Sequence, residues 1–163
     1  MKKRAILSLT PWLLFPAMVS GQDWSEEEQG LLDHVKMCWD AWADAVNEND
    51  LDIWMDTCQP DPDVSGWWTA NGSLWTLEAE SRSFDKWVAG TEGFYWENLE
   101  PLEIKVHGDI GMIWFYITYR EPGSDGPFTR FENKRFEVFR LGDGVWHWLG
   151  AMAQVKEMNG FEG

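Results

Sequence analysis

Residues 38–58 read CWDAWADAVNENDLDIWMDTC. The only two cysteines of the chain bracket this stretch, with three tryptophans and six acidic residues between them. Just upstream, Ser25-Glu26-Glu27-Glu28 has the form of a capping box, in which serine accepts from free helix amides and Glu28 reaches back. Leu31, Leu32, Val35, Cys38, Trp39, Trp42 and Val46 then recur at steps of three and four, while Asp33, Lys36, Asp40 and Asp44 take the opposite side. The spacing predicts an amphipathic helix of about six turns. Asn47-Glu48-Asn49-Asp50 interrupts it, and Asn49 or Asp50 can cap a second helix with Leu51, Trp54, Met55 and Cys58 on one side. Pro60 and Pro62 cannot continue that helix. The stretch is therefore a helical hairpin turning at Glu48.

Antiparallel packing of its two arms would bring Cys38 face to face with Cys58. The spacing is not that of a C-x-x-C redox centre, and no histidine stands where a shared metal would need it. A disulfide closing a loop of about 20 residues is expected, worth roughly 3 kcal/mol. The alternative is a pair of reduced core thiols.

After Gln59 the hydrophobic period changes. Residues 67–70, Asn71-Gly72 and residues 73–76 read as a hairpin about a tight turn. Ser83 can cap a third helix carrying Phe84, Trp87 and Val88. From Leu102 onward strands follow one another: 102–107, 110–120, 128–141 and 145–155. Gly108-Asp109, the loop 121–127 and Gly142-Asp143-Gly144 separate them. Helices first and an antiparallel meander afterwards make an α+β domain whose helices cover one sheet face.

The segments WDAWADAVNENDLDIWMD (39–56) and RFEVFRLGDGVWHWLGAMAQ (135–154), in this order of elements, resemble the NTF2-like superfamily, and within it SnoaL-like or DUF4440-type domains. The resemblance covers roughly residues 25–156. It implies a cone: a strongly curved sheet wrapped around the long helix, enclosing an apolar pocket. Members include isomerases, dehydratases, cyclases and binding domains, and dimers are common, so a homodimer is expected. Function must be read from the site.

Enzymes of this class use a pocket carboxylate or histidine as acid or base. On 110–120, alternation separates Met112, Trp114, Tyr116 and Thr118 from Gly111, Ile113, Phe115, Ile117 and Tyr119. Both sets are apolar, so period does not say which lines the pocket; Trp114 and Tyr116 are taken as lining residues. Phe131, Asn133, Arg135, Glu137, Phe139 and Leu141 share a face, with Arg135 and Glu137 as the best polar pair. An ordinary cross-strand charge pair is the competing reading. On the last strand Trp146, Trp148, Gly150, Met152 and Gln154 share a face. Relatives often carry His or Gln where Met152 falls, and Ser or Thr where Gln154 falls. Trp68, Arg135, Trp148, Met152 and Gln154 complete the expected pocket. Glu137 and Asp63, the latter just after Pro62 at the pocket mouth, are the candidate acid–base groups. His34, His107 and His147 are dispersed and read as surface or rim residues. No metal site or cofactor motif is present in the sequence.

Composition narrows the partners. The formal charge is −15, and removing a leader that holds Lys2, Lys3 and Arg4 makes it more negative still. Such a surface repels nucleic-acid phosphates and anionic lipid. MKKR, an apolar run of about 15 residues and small residues after it predict a signal peptide over 1–21, cleaved after Gly21. The run is shorter than the ~20 residues a span needs, so no stable membrane insertion is expected. The expectation is an exported single domain over 22–163, periplasmic or secreted. It binds a small apolar or aromatic molecule, with isomerase-, dehydratase- or cyclase-type chemistry left open. An envelope interaction or dimerisation module is the alternative. Trp67, Trp68 and Trp75 form the one compact cluster that a sugar platform would need.

Overall fold

In the computed structural model, residues 23–68, 73–89, 93–123 and 126–158 are described. The expected leader, the cleavage point after Gly21 and the Asn71-Gly72 turn lie outside them. Helix α1 (Glu26–Glu48) begins with the capping box: Ser25 Oγ accepts from the Glu28 amide, and Glu28 accepts from the Ser25 amide at 2.9 Å. It ends where Asn49 turns left-handed at φ 53°. Asp50 then caps α2 (Leu51–Cys58) through the Asp52 amide. Asn49 and Asp50 thus divide the work, one closing α1 and the other opening α2.

A short hairpin, β1 (Gly66–Trp68) and β2 (Leu74–Thr76), runs directly into α3 (Leu77–Val88). The cap of α3 is Thr76, whose hydroxyl accepts from the Ala79 amide, and not Ser83. Ser83 lies inside the helix and donates back to the Ala79 carbonyl at 2.9 Å. The threonine ending β2 has extended backbone and a free oxygen, which is what a helix start requires.

Four long strands complete the fold: β3 (Tyr95–His107), β4 (Ile110–Gly123), β5 (Gly126–Gly142) and β6 (Val145–Glu157). They form one curved, unclosed sheet in the order β2-β1-β6-β5-β4-β3. β3 starts well before Leu102 and runs through Pro101 with two register shifts. Proline is tolerated there because β3 is the sheet edge. Most of the expected loop 121–127 is also strand, since pairing continues to Gly123↔Gly126. The β5–β6 turn is as expected, with left-handed Asp143 and Gly144 at φ 52° and 81°.

β1 lies parallel to β6, and Gly150 allows the approach. A Cβ on Gly150 would meet the Gly66 carbonyl oxygen at 2.9 Å. Arg120 and Arg130 stand directly opposite each other on β4 and β5, and Glu97 of β3 forms ion pairs with both. The core joins Leu31, Val35 and Val46 of α1 to Ile113, Phe115 and Ile117 of β4, all essentially inaccessible. His34 belongs to it as well: it is buried edge-on against Phe139 at 5.7 Å, not at a rim. Burial lowers its pKa and keeps the ring neutral. The helical hairpin is fastened by the Cys38–Cys58 disulfide, with Cα atoms 5.4 Å apart.

Candidate ligand-binding site

Between the helical hairpin and the inner sheet face lies a cavity of about 220 Å³. Helix spacing aims Trp39, Trp42 and Trp54 inward from α1 and α2, and β1 adds Trp67. Trp67, Trp54 and Trp148 form one aromatic cluster, with ring centroids 4.7 Å (Trp67–Trp148), 5.4 Å (Trp54–Trp148) and 5.8 Å (Trp54–Trp67) apart. Phe94 and Tyr119 close the wall nearer β4.

The polar groups come from neighbouring strands. Inward alternation on β5 lines up Asn133, Arg135 and Glu137, and β4 contributes Glu121. Arg135 Nε donates to Glu137 Oε1 at 2.7 Å, with the two side chains 11% and 4% exposed. The guanidinium lies over the Trp39 ring, 4.8 Å from its centroid. Burial pushes the Glu137 carboxyl above its ordinary range; Arg135 and the Trp148 indole N–H pull it back only in part. Glu121 is raised by burial alone. Burial likewise raises the Tyr119 phenol and keeps it neutral. Asn133 is 2% exposed, and its side-chain oxygen has no hydrogen-bond partner. This set can hold a proton at Glu137 and accept hydrogen bonds at Asn133 and Glu121. Among the described residues no group of three or more His, Cys, Asp and Glu converges as metal ligands.

Of the residues expected from sequence, Arg135, Glu137 and Trp148 line the cavity, and the others do not. Trp114 and Tyr116 lie on the outer sheet face, because the odd-numbered residues of β4 turn inward: Ile113, Phe115, Ile117 and Tyr119 are the buried set. Trp68 also points out, 49% exposed. Its neighbour Trp67 takes the inward place, so Trp67 and Trp68 do not share one flat face. Asp63 is exposed in the turn before β1, where its amide donates to Asp61 Oδ1 at 3.0 Å.

Met152 and Gln154 are displaced for a different reason. Val138 pairs with Gly150 but Phe139 pairs with Trp148, which leaves Leu149 as an extra residue in β6. A one-residue bulge reverses the facing of every residue beyond it. Trp146 and Trp148 therefore face inward, then Ala151, while Met152 turns out at 56% exposure. Ala153 and Val155 line the cavity in place of Met152 and Gln154.

Asn133 was legible from its shared face with Arg135 and Glu137. Trp39, Trp42 and Trp54 read as helix stripe, and nothing in a stripe separates core packing from a cavity wall. Glu121 fell in a stretch that reads as loop.

A curved open sheet over a helical hairpin, with an aromatic cavity and a buried Arg–Glu pair, defines an α+β cone of the NTF2-like class. The SnoaL-like domain profile matches residues 35–148, and the chain belongs to that family. No curated protein matches the sequence significantly. Among solved structures, an NTF2-like superfamily protein from Salmonella enterica superposes with a TM-score of 0.61 at 12% identity, covering 83% of this chain and 96% of that one. The S. rosetta CaMKII hub gives 0.62 at 16% identity, covering 82% and 100%. A hexachlorocyclohexane dehydrochlorinase from Novosphingobium barchaimii gives 0.58 at 12%, covering 84% and 97%. At these identities the likeness is one of fold.

Proposed function

We propose that this SnoaL-like domain binds a small, largely apolar or aromatic molecule inside its cone. One observation carries the reading: a cavity walled by tryptophans whose buried polar groups converge from adjacent strands. Its volume of about 220 Å³ suits one or two rings, since an apolar cavity of ~150 Å³ holds benzene. Filling the cavity through Ala153→Phe is expected to keep the fold and abolish binding. Aromatic fragments should raise the Tm of the natural protein and quench its tryptophan fluorescence, and should do neither in the variant. A fragment set that leaves the natural protein's Tm unmoved would sink the reading.

Acid–base chemistry on the bound molecule is favoured by Glu137, a buried carboxyl on the cavity wall that burial keeps inclined to hold its proton. The dehydrochlorinase shows that the fold also occurs in an enzyme acting on a small molecule. Asp63, exposed in its turn, has no part in this. The mature domain works outside the cytosol on this reading. The sequence of residues 1–21 supports it, as does a disulfide of a kind that persists in oxidising compartments. Native mass spectrometry of protein purified from its host would reveal a retained ligand and a chain beginning at Gln22.

A homodimer through the outer sheet face accompanies this function. Register places Trp114, Phe136, Met152, Trp68 and Leu74 side by side across β4, β5, β6, β1 and β2. Trp114 and Phe136 stack at 4.5 Å. A contiguous apolar band of this kind, exposed at Met152, Trp68 and Leu74 and half-buried at Trp114 and Phe136, marks an interaction surface, and the CaMKII hub has the same fold. Met152→Lys should halve the sedimenting mass at micromolar concentration; an unchanged mass would count against this face.

A further inference from the structure

We propose that the cavity is built for an organic cation, a protonated amine carrying one aromatic ring, whose charge meets Glu121 and whose N–H groups reach Asn133. The inference rests on the small-molecule reading and adds the ligand's charge. Three ionisable side chains of opposite sign line the cavity: Arg135, Glu137 and Glu121. The first two satisfy each other at 2.7 Å. Glu121 is left over, with no hydrogen bond or ion pair among the described residues, and residues 122–128 beside it include no Lys or Arg. Burial raises its pKa, and among the described residues no cation offsets that.

Asn133 supplies a second, independent demand. Asn133 lines the cavity, and its side-chain oxygen is buried and unpartnered. A buried acceptor left unmade costs free energy that a donor from a ligand would recover. An ammonium group carries donors and no acceptor, so it answers both the carboxylate and the amide oxygen. A carboxylate ligand would face the Glu121 carboxylate as a like charge, while the lining guanidinium of Arg135 is already paired with Glu137. The indole walls suit the same choice, because aromatic faces attract cations. Trp39 already holds one, the guanidinium of Arg135 at 4.8 Å. The chain's net charge of −15 raises the local concentration of cations before they enter.

Three ligands of one shape and different charge test this on the full mature protein by titration calorimetry: 2-phenylethylammonium, 2-phenylethanol and phenylacetate. The ammonium ion is expected to bind about tenfold or more tightly than the alcohol, with phenylacetate weakest. Glu121→Gln should erase that preference by weakening the ammonium ion more than the alcohol. If the alcohol equals the ammonium ion, or phenylacetate binds best, the cation assignment falls and the small-molecule reading stands. If none of the three binds, the assignment falls as well, and the fragment screen with Ala153→Phe then decides the cavity reading separately. Should Glu121→Gln fail to fold, the ranking on the natural protein still decides the matter.

Discussion

Arg135→Ala is expected to destabilise the domain by about 3–5 kcal/mol, the usual result of stranding one partner of a buried ion pair. For a chain of this size that lowers Tm by on the order of 10 °C. The loss has two sources. Glu137, 3% exposed, keeps its burial and loses its cation, and Trp39 loses the guanidinium stacked on its face. The first source depends on pH, and its sign can be worked out. Burial already raises Glu137 above its ordinary pKa of 4.5, and removing Arg135 raises it further. Below pH ~4.5 the carboxyl is protonated in both folded and unfolded chains, so it contributes no penalty there. As pH rises, the unfolded chain ionises first and stability falls until the folded pKa is passed. The deficit of Arg135→Ala relative to the natural protein should therefore be larger at pH 8 than at pH 4. The double variant Arg135→Leu/Glu137→Leu should recover most of the loss, since well-packed apolar replacements of buried pairs are often neutral. Urea unfolding at the two pH values checks both points. An equal deficit at pH 4 and pH 8, or a double variant as weak as the single, would show that the pair is not what holds this wall.

Breaking the Cys38–Cys58 disulfide is expected to cost about 3 kcal/mol, because the bond closes a loop of 20 residues in the unfolded chain. Cys38→Ser, Cys58→Ser and the double variant should lose the same amount, since any one of them removes the whole cross-link. Additive losses would mean that the two side chains matter as separate core residues. The bond also fixes the angle between α1 and α2, whose Trp42 and Trp54 meet edge-on at 5.7 Å and both line the cavity. Ligand affinity should accordingly fall along with Tm. Thiol titration of the denatured natural protein should find no free thiol, and two free thiols would refute the cross-link.

Reading along the chain was most informative where a local signal had only one structural solution. Ser25 and Glu28 could form a capping box without help from elsewhere, and Asp143-Gly144 could make a tight turn from its own backbone. The stripe from Leu31 to Val46 similarly fixed which side of α1 would be buried. The Arg135–Glu137 pair was legible because two charges among inward aromatics must satisfy each other or remain costly. Ser83 and the 121–127 loop misled for the opposite reason. Thr76 offered an earlier cap, and ladder pairing with a distant strand turned loop-like residues into sheet.

The amino-acid sequence by itself determined the class of this protein: two capped helices in a hairpin that sets Cys38 opposite Cys58, then a meander of long strands whose period-two pattern demands a covered sheet. Which side of that sheet encloses the cavity was decided only in three dimensions. Both faces of β4 are apolar, so alternation alone leaves Trp114 and Phe115 equivalent until α1 settles on one of them. In β6 a single unpaired residue, Leu149, exchanges Met152 and Gln154 for Ala153 and Val155. Strand facing is a property of parity, and parity is set by pairing with a neighbouring strand that no local stretch of sequence contains.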